Sequence, residues 1–132
     1  MKNYIFYISI FFVVFCFGCK KEEIITSKPG ESISPVTNLT HSVAGNQLNI
    51  QWKLPSSLPS DIKSPVSVVI SINVDGQNKG TVVLDNAPES YIYTPYDASK
   101  AHRFTVKVRG SVSTTDPNFS NMRYSLGETL IL

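Results

Sequence analysis

The chain has 132 residues, with 12 Lys/Arg against 10 Asp/Glu and two cysteines. A chain this short builds one modest core and therefore one domain. The even charge balance, without a basic stripe, excludes the concentrated positive charge that nucleic-acid binding requires.

The N-terminus comes first. Lys2 supplies positive charge, and residues 4–17 are then almost wholly apolar, interrupted only by Ser9. That run falls short of the roughly 20 residues needed to cross a bilayer. A charged start, a short apolar stretch and small Gly18 before the break are the parts of a secretion signal. Cys16 and Cys19 stand in a C-x-x-C arrangement, but the pair closes an apolar run. A redox pair instead opens a helix beside a βαβ pattern, where its thiolate is stabilised.

Gly18 and Cys19, followed at once by Lys20, Lys21, Glu22 and Glu23, resemble the lipobox of bacterial lipoproteins. Cys16 and Phe17 depart from it, since the family usually has an aliphatic and then a small residue there. The resemblance implies a signal peptide over 1–18 and cleavage before Cys19, which then carries palmitate-type acyl chains. An ordinary secretion signal cut elsewhere would leave Cys19 free. Each buried methylene contributes about 0.8 kcal/mol, so two or more acyl chains hold firmly without a transmembrane helix. The acidic pair after Lys21 also resembles the surface-export signal of Bacteroidetes lipoproteins. The implied location is the outer membrane, with the domain on its periplasmic or its external side.

Residues 20–34, KKEEIITSKPGESIS, show no sustained periodicity and contain Pro29 and Gly30. With Cys19 they read as a flexible tether over 19–34, reaching about 20 Å on average. No cysteine follows Cys19, so a disulfide framework or a thiolate metal site is not expected.

From residue 35 the pattern has period two. Leu48, Ile50 and Trp52 alternate with polar neighbours, as do Val66, Val68, Ile70, Ile72 and Val74. A turn from Asp75-Gly76 to Gly80 leads to a short strand over 81–84. Residues 90–94 are β-rich, and Phe104, Val106 and Val108 alternate with Thr105, Lys107 and Arg109. Strand-like pieces over 124–132 close the chain. The prolines are expected between strands, where they cost no ladder hydrogen bond. Apolar residues nowhere keep helical spacing for three turns. The expectation is an all-β, seven-stranded antiparallel β-sandwich over 35–132.

Residues 35–127 resemble a fibronectin type III domain. PVTNLTHSVAGNQLNIQWKLP is similar to that family's first hairpin, with L-x-I-x-W-x-x-P ending at Pro55. FTVKVRG, from Phe104 to Gly110, is similar to its Y-x-V-x-V-x-A strand. The resemblance implies Trp52 in the core between the sheets and Phe104 where tyrosine usually stands. The substitution keeps the packing and loses a hydrogen bond worth about 0.5–1.5 kcal/mol. TPYDASKAHRF, before that strand, is longer than the usual turn, and an immunoglobulin-like relative is the nearest alternative.

Neither His41 nor His102 has a spaced partner of the H-x-H or H-E-x-x-H kind. The serines lack a G-x-S-x-G elbow. NVDGQNKG has neither the order of a calcium loop nor its closing Glu. No enzyme activity, cofactor or metal is expected. The residue set with binding potential is Tyr91, Tyr93 and Tyr96. Period two puts Tyr91 and Tyr93 on one face and Ile92 on the other. With Ile92 inward, the tyrosines form an exposed stacking platform; with the tyrosines inward, they are core.

The expected function is a non-catalytic binding or adhesion module, held on the envelope by lipid on Cys19, with a glycan or a protein as partner. The alternative is a structural spacer or accessory subunit of an envelope assembly. Leu130-Ile131-Leu132 motivate it, because they could complete the domain's own sheet or be offered to a partner's edge.

Overall fold

A computed structural model describes residues 26–132. Every regular element among them is a strand: β1 (Thr26–Ser27), β2 (Thr37–Ala44), β3 (Gln47–Lys53), β4 (Ile62–Val74), β5 (Gln77–Leu84), β6 (Ser90–Tyr93), β7 (His102–Val112), β8 (Phe119–Ser120), β9 (Met122–Tyr124) and β10 (Glu128–Ile131).

The turns decide where the hairpins close. β2 and β3 meet through Gly45-Asn46, where Gly45 takes φ +61°, and the pairing begins at Ala44 with Gln47. β4 and β5 meet through Asp75 and Gly76 at φ +51° and +77°. One of the two favoured two-residue loops takes positive φ at both positions to match the strands' twist, and Asp-Gly supplies it with little strain. The expected turn reaching Gly80 is therefore shorter, and β5 begins at Gln77. Gly80, at φ +113°, instead marks an irregularity in that strand. β4 also begins earlier than the apolar alternation suggests, so Pro65 lies within a strand rather than between strands. The pairing with β7 skips from Lys63 to Ser67 there, because proline has no N–H to give the ladder.

Two antiparallel sheets result. One has the order β2-β3-β6; the other has the order β10-β7-β4-β5, with β9 also paired to β7. β9 runs along Arg109–Ser111 and β10 along Arg103–Val106, so the two share one edge of β7 in succession. Between them Ser125 ties to Val108 by both its N–H and its Oγ, each at 2.9 Å.

The inner faces share one hydrophobic core. Leu48, Ile50 and Trp52 come from β3, the alternate valines and isoleucines from β4, and Phe104, Val106 and Val108 from β7. Trp52 is buried, and its indole N–H donates to the Pro88 carbonyl at 2.9 Å. Phe104 is fully enclosed. The C-terminus closes the same layer: Leu130 pairs with Phe104, and Leu132 exchanges two 2.9 Å backbone bonds with His102.

The described residues correct the extent of the tether. Residues 26–34 lie on the domain, with β1 paired in parallel to β8 and Ile33 only 2% exposed in the core. Residues 19–25, and with them Cys19, lie outside the described residues, as do Cys16 and the signal segment.

Candidate interaction site

Strands β4 and β7 run antiparallel for most of their length and give the domain two poles. At one pole lie the turns 45–46 and 75–76, the loop 94–101 and the C-terminus. At the other lie the loops 54–61 and 113–118, with β1 and β8.

The first pole carries the tyrosines. Tyr91 lies opposite Ile50 and Tyr93 opposite Leu48, and opposed residues share a sheet face, so both rings turn toward the core. Ile92 points outward and is 55% exposed. The exposed stacking platform thus gives way to core packing for Tyr91 and Tyr93, although an edge strand leaves both half-buried. Burial, with a smaller contribution from Tyr93, pushes the Tyr91 phenol above its ordinary value.

Tyr93, Tyr96, His102 and Phe104 form an aromatic cluster there. Tyr93 meets Phe104 edge-on at 5.2 Å across the core, and Tyr96 lies 4.9 Å from His102, whose ring stacks on Phe104 at 6.0 Å. His102 is 2% exposed. Its Nδ1 lies 2.9 Å from the Lys100 carbonyl; a carbonyl only accepts, so Nδ1 carries the hydrogen. The loop above is pinned by Tyr96 N–H to the Asn46 carbonyl at 2.7 Å and by Ala101 N–H to Asp75. The Ser99 hydroxyl and N–H hold the Asp97 carboxyl below its usual range. A cleft of about 230 Å³ opens beside His102, between Asn73 and Ile131. His41 stands apart on β2 and is exposed.

At the opposite pole the structure holds a feature that the sequence did not announce. Arg123 binds Asp61 through two parallel bonds of 2.9 and 2.8 Å. The same guanidinium donates to the carbonyls of Glu31 and Lys28, at 3.0 and 3.1 Å. It thus ties residues 28–31 to the domain. Gly30 lies so close over the guanidinium that a Cβ there would overlap it. The hydrogen bond from Arg123 holds the Asp61 carboxyl below its ordinary value.

A third feature is the outward face of the larger sheet. Arg103, Thr105, Lys107 and Arg109 alternate with the buried residues of β7 and so line that face. Exposed Ile131 stands opposite Arg103, exposed Tyr124 opposite Arg109, and exposed Val83 lies one strand beyond Val69. Leu126, 80% exposed, sits in the break between β9 and β10. Arg109 is engaged by Asp85 at 3.5 Å. The sequence signal for this face was visible in the alternation of β7, but its apolar members come from three other segments.

Among the described residues no three His, Cys, Asp or Glu side chains come together as metal ligands, and no helix is long and apolar enough to cross a membrane. What the fold and these surfaces define is a small all-β domain with a clamped N-terminal strap and an apolar, cationic sheet face. A family model described as Domain of unknown function (DUF4945) matches residues 19–132, and the chain belongs to that family. No curated protein matches the chain.

Proposed function

We propose that the protein is an outer-membrane lipoprotein. Acyl chains on Cys19 hold it in the envelope, and its fibronectin type III-like domain acts as a non-catalytic binding module for a protein or glycan. The anchor rests on the short apolar run ending in Gly18-Cys19 and on the charged residues that follow it at once. The seven-stranded sandwich is supported by the strand order. A three-stranded sheet faces one of four positions, because β9 and β10 together occupy a single edge.

The observation that carries the binding reading is the outward sheet face. Tyr124, Val83 and Ile131 expose apolar surface on the same face as Arg103 and Lys107. Aromatic and arginine side chains around apolar contact area are the composition that interfaces favour. The accessory-subunit alternative keeps its motive in the outer edge of β10, since β10 and Leu132 are paired within the domain on the β7 side.

Cys19→Ser tests the anchor. The natural chain should take up labelled palmitate and sediment with membranes, and the variant should be unlabelled and soluble. An unlabelled natural chain would refute it. Capture from envelope extracts together with a glycan array tests the binding, and two blanks with folded protein would count against it.

A further inference from the structure

We infer that the pole bearing β1 and β8 rests on the phosphate layer of the membrane, with Lys28 and Lys63 as its contacts. The inference depends on the Cys19 anchor proposed above and concerns how the anchored domain stands.

The geometry of the chain carries it. From Cys19 to Thr26 there are seven residue steps, which span at most about 25 Å even when fully extended. Thr26 is fixed to the domain: its N–H donates to the Asn118 carbonyl at 3.4 Å, and β1 pairs with β8. The Arg123 clamp secures the strap just behind it by holding the Lys28 and Glu31 carbonyls. The tether therefore leaves from one pole, and it is short. The far pole lies the length of β4 away, about 40 Å for its 13 residues at a strand's rise.

What lines the near pole fits a headgroup. A cleft of about 590 Å³ opens there, with Lys28 and Lys63 beside the hydroxyls of Thr114 and Thr115. Lys28 spends one N–H on the Ser113 carbonyl at 2.9 Å and keeps two donors. Asp116 also borders the cleft, but it is turned into its own loop by two bonds from Asn118, at 2.9 and 3.0 Å. Two ammonium groups with hydroxyls beside them suit the phosphate oxygens of a lipid headgroup, and basic groups at an anionic leaflet are attracted to it. The orientation turns the loop 94–101 and the His102 cleft away from the lipid.

The test uses the full lipidated chain in vesicles of phosphatidylethanolamine and phosphatidylglycerol. The mature chain has no cysteine beyond Cys19, so Ser60→Cys and Gln77→Cys each give one exposed labelling site, one per pole. With a quencher on the lipid headgroups, the label at 60 should be quenched and the label at 77 should stay bright. Adding Lys28→Glu with Lys63→Glu should abolish quenching at 60 while the protein remains on the vesicles. Equal quenching at both poles, or quenching at 60 that survives the charge reversal, overturns the inference. Natural chain that fails to stay on vesicles would instead overturn the anchor.

Discussion

Asp61 and Arg123 are separated by 62 positions, yet they form the most completely bonded polar contact among the described residues. Arg123 is largely buried, and removing its carboxylate partner would strand a buried charge, which is costlier than losing an exposed pair. The pair also titrates in a defined direction. Its hydrogen bond to Arg123 lowers the Asp61 value in the folded chain below the ordinary 3.8. The folded state therefore binds fewer protons than the unfolded state, so the contribution is complete above 3.8 and fades as pH falls through the lowered value. Urea melts on either side of 3.8 should show the natural chain losing stability on acidification. Asp61→Asn should be less stable at neutral pH and flatter across that window. Equal slopes for the two proteins would mean that the clamp does not contribute.

Trp52 and Phe104 were legible because each stands in a strict alternation of apolar and polar neighbours, which marks the buried face. The orientation of Tyr91 and Tyr93 was not legible. Alternation puts them on one face and leaves open which, and only their register opposite Ile50 and Leu48 decides it.

At the scale of elements, the strap and the last strand behave as parts of the domain. The segment 26–34 reads as a tether because Pro29, Gly30 and its serines break every periodicity. Its one core residue, Ile33, has no apolar partner at i±2 to reveal it as a strand. It folds onto the domain because Ile33 fills the space beside Gly110 and Ile62, where even a Cβ on Gly110 would meet the Ile33 side chain. A chain beginning at residue 26 should thus melt higher than one beginning at residue 35. The difference should be about 1.5–3 kcal/mol, the value of fully burying one isoleucine. Identical denaturation midpoints would return the strap to a passive linker. Deleting residues 130–132 removes two half-buried leucines and both backbone bonds to His102. It should cost about 2 kcal/mol in the same melts, and an unchanged midpoint would mean that these residues serve a partner instead.

At the scale of the whole molecule, stability and recognition occupy different faces. The core lies between the sheets and the clamp at one pole. Exposed Val83, Tyr124 and Ile131 and the cations of β7 lie on the outer face of the larger sheet, where they contribute nothing to the inner packing. Changes on that face should therefore separate binding from folding, because exposed substitutions usually alter stability by less than about 0.5 kcal/mol. Ile131→Ser with Lys107→Glu removes an exposed apolar side chain opposite Arg103 and reverses a central charge. The double variant should keep its denaturation midpoint and capture the envelope partner much more weakly. The salt dependence of the remaining capture should weaken as well, since rim charges act mainly through screened attraction. A control at the aromatic pole, Tyr96→Phe, should leave capture intact, because Tyr96 packs against His102 on the inner side. If the control abolishes capture and the face variant does not, recognition belongs to the loop 94–101, and the outer sheet face is only a solvated surface.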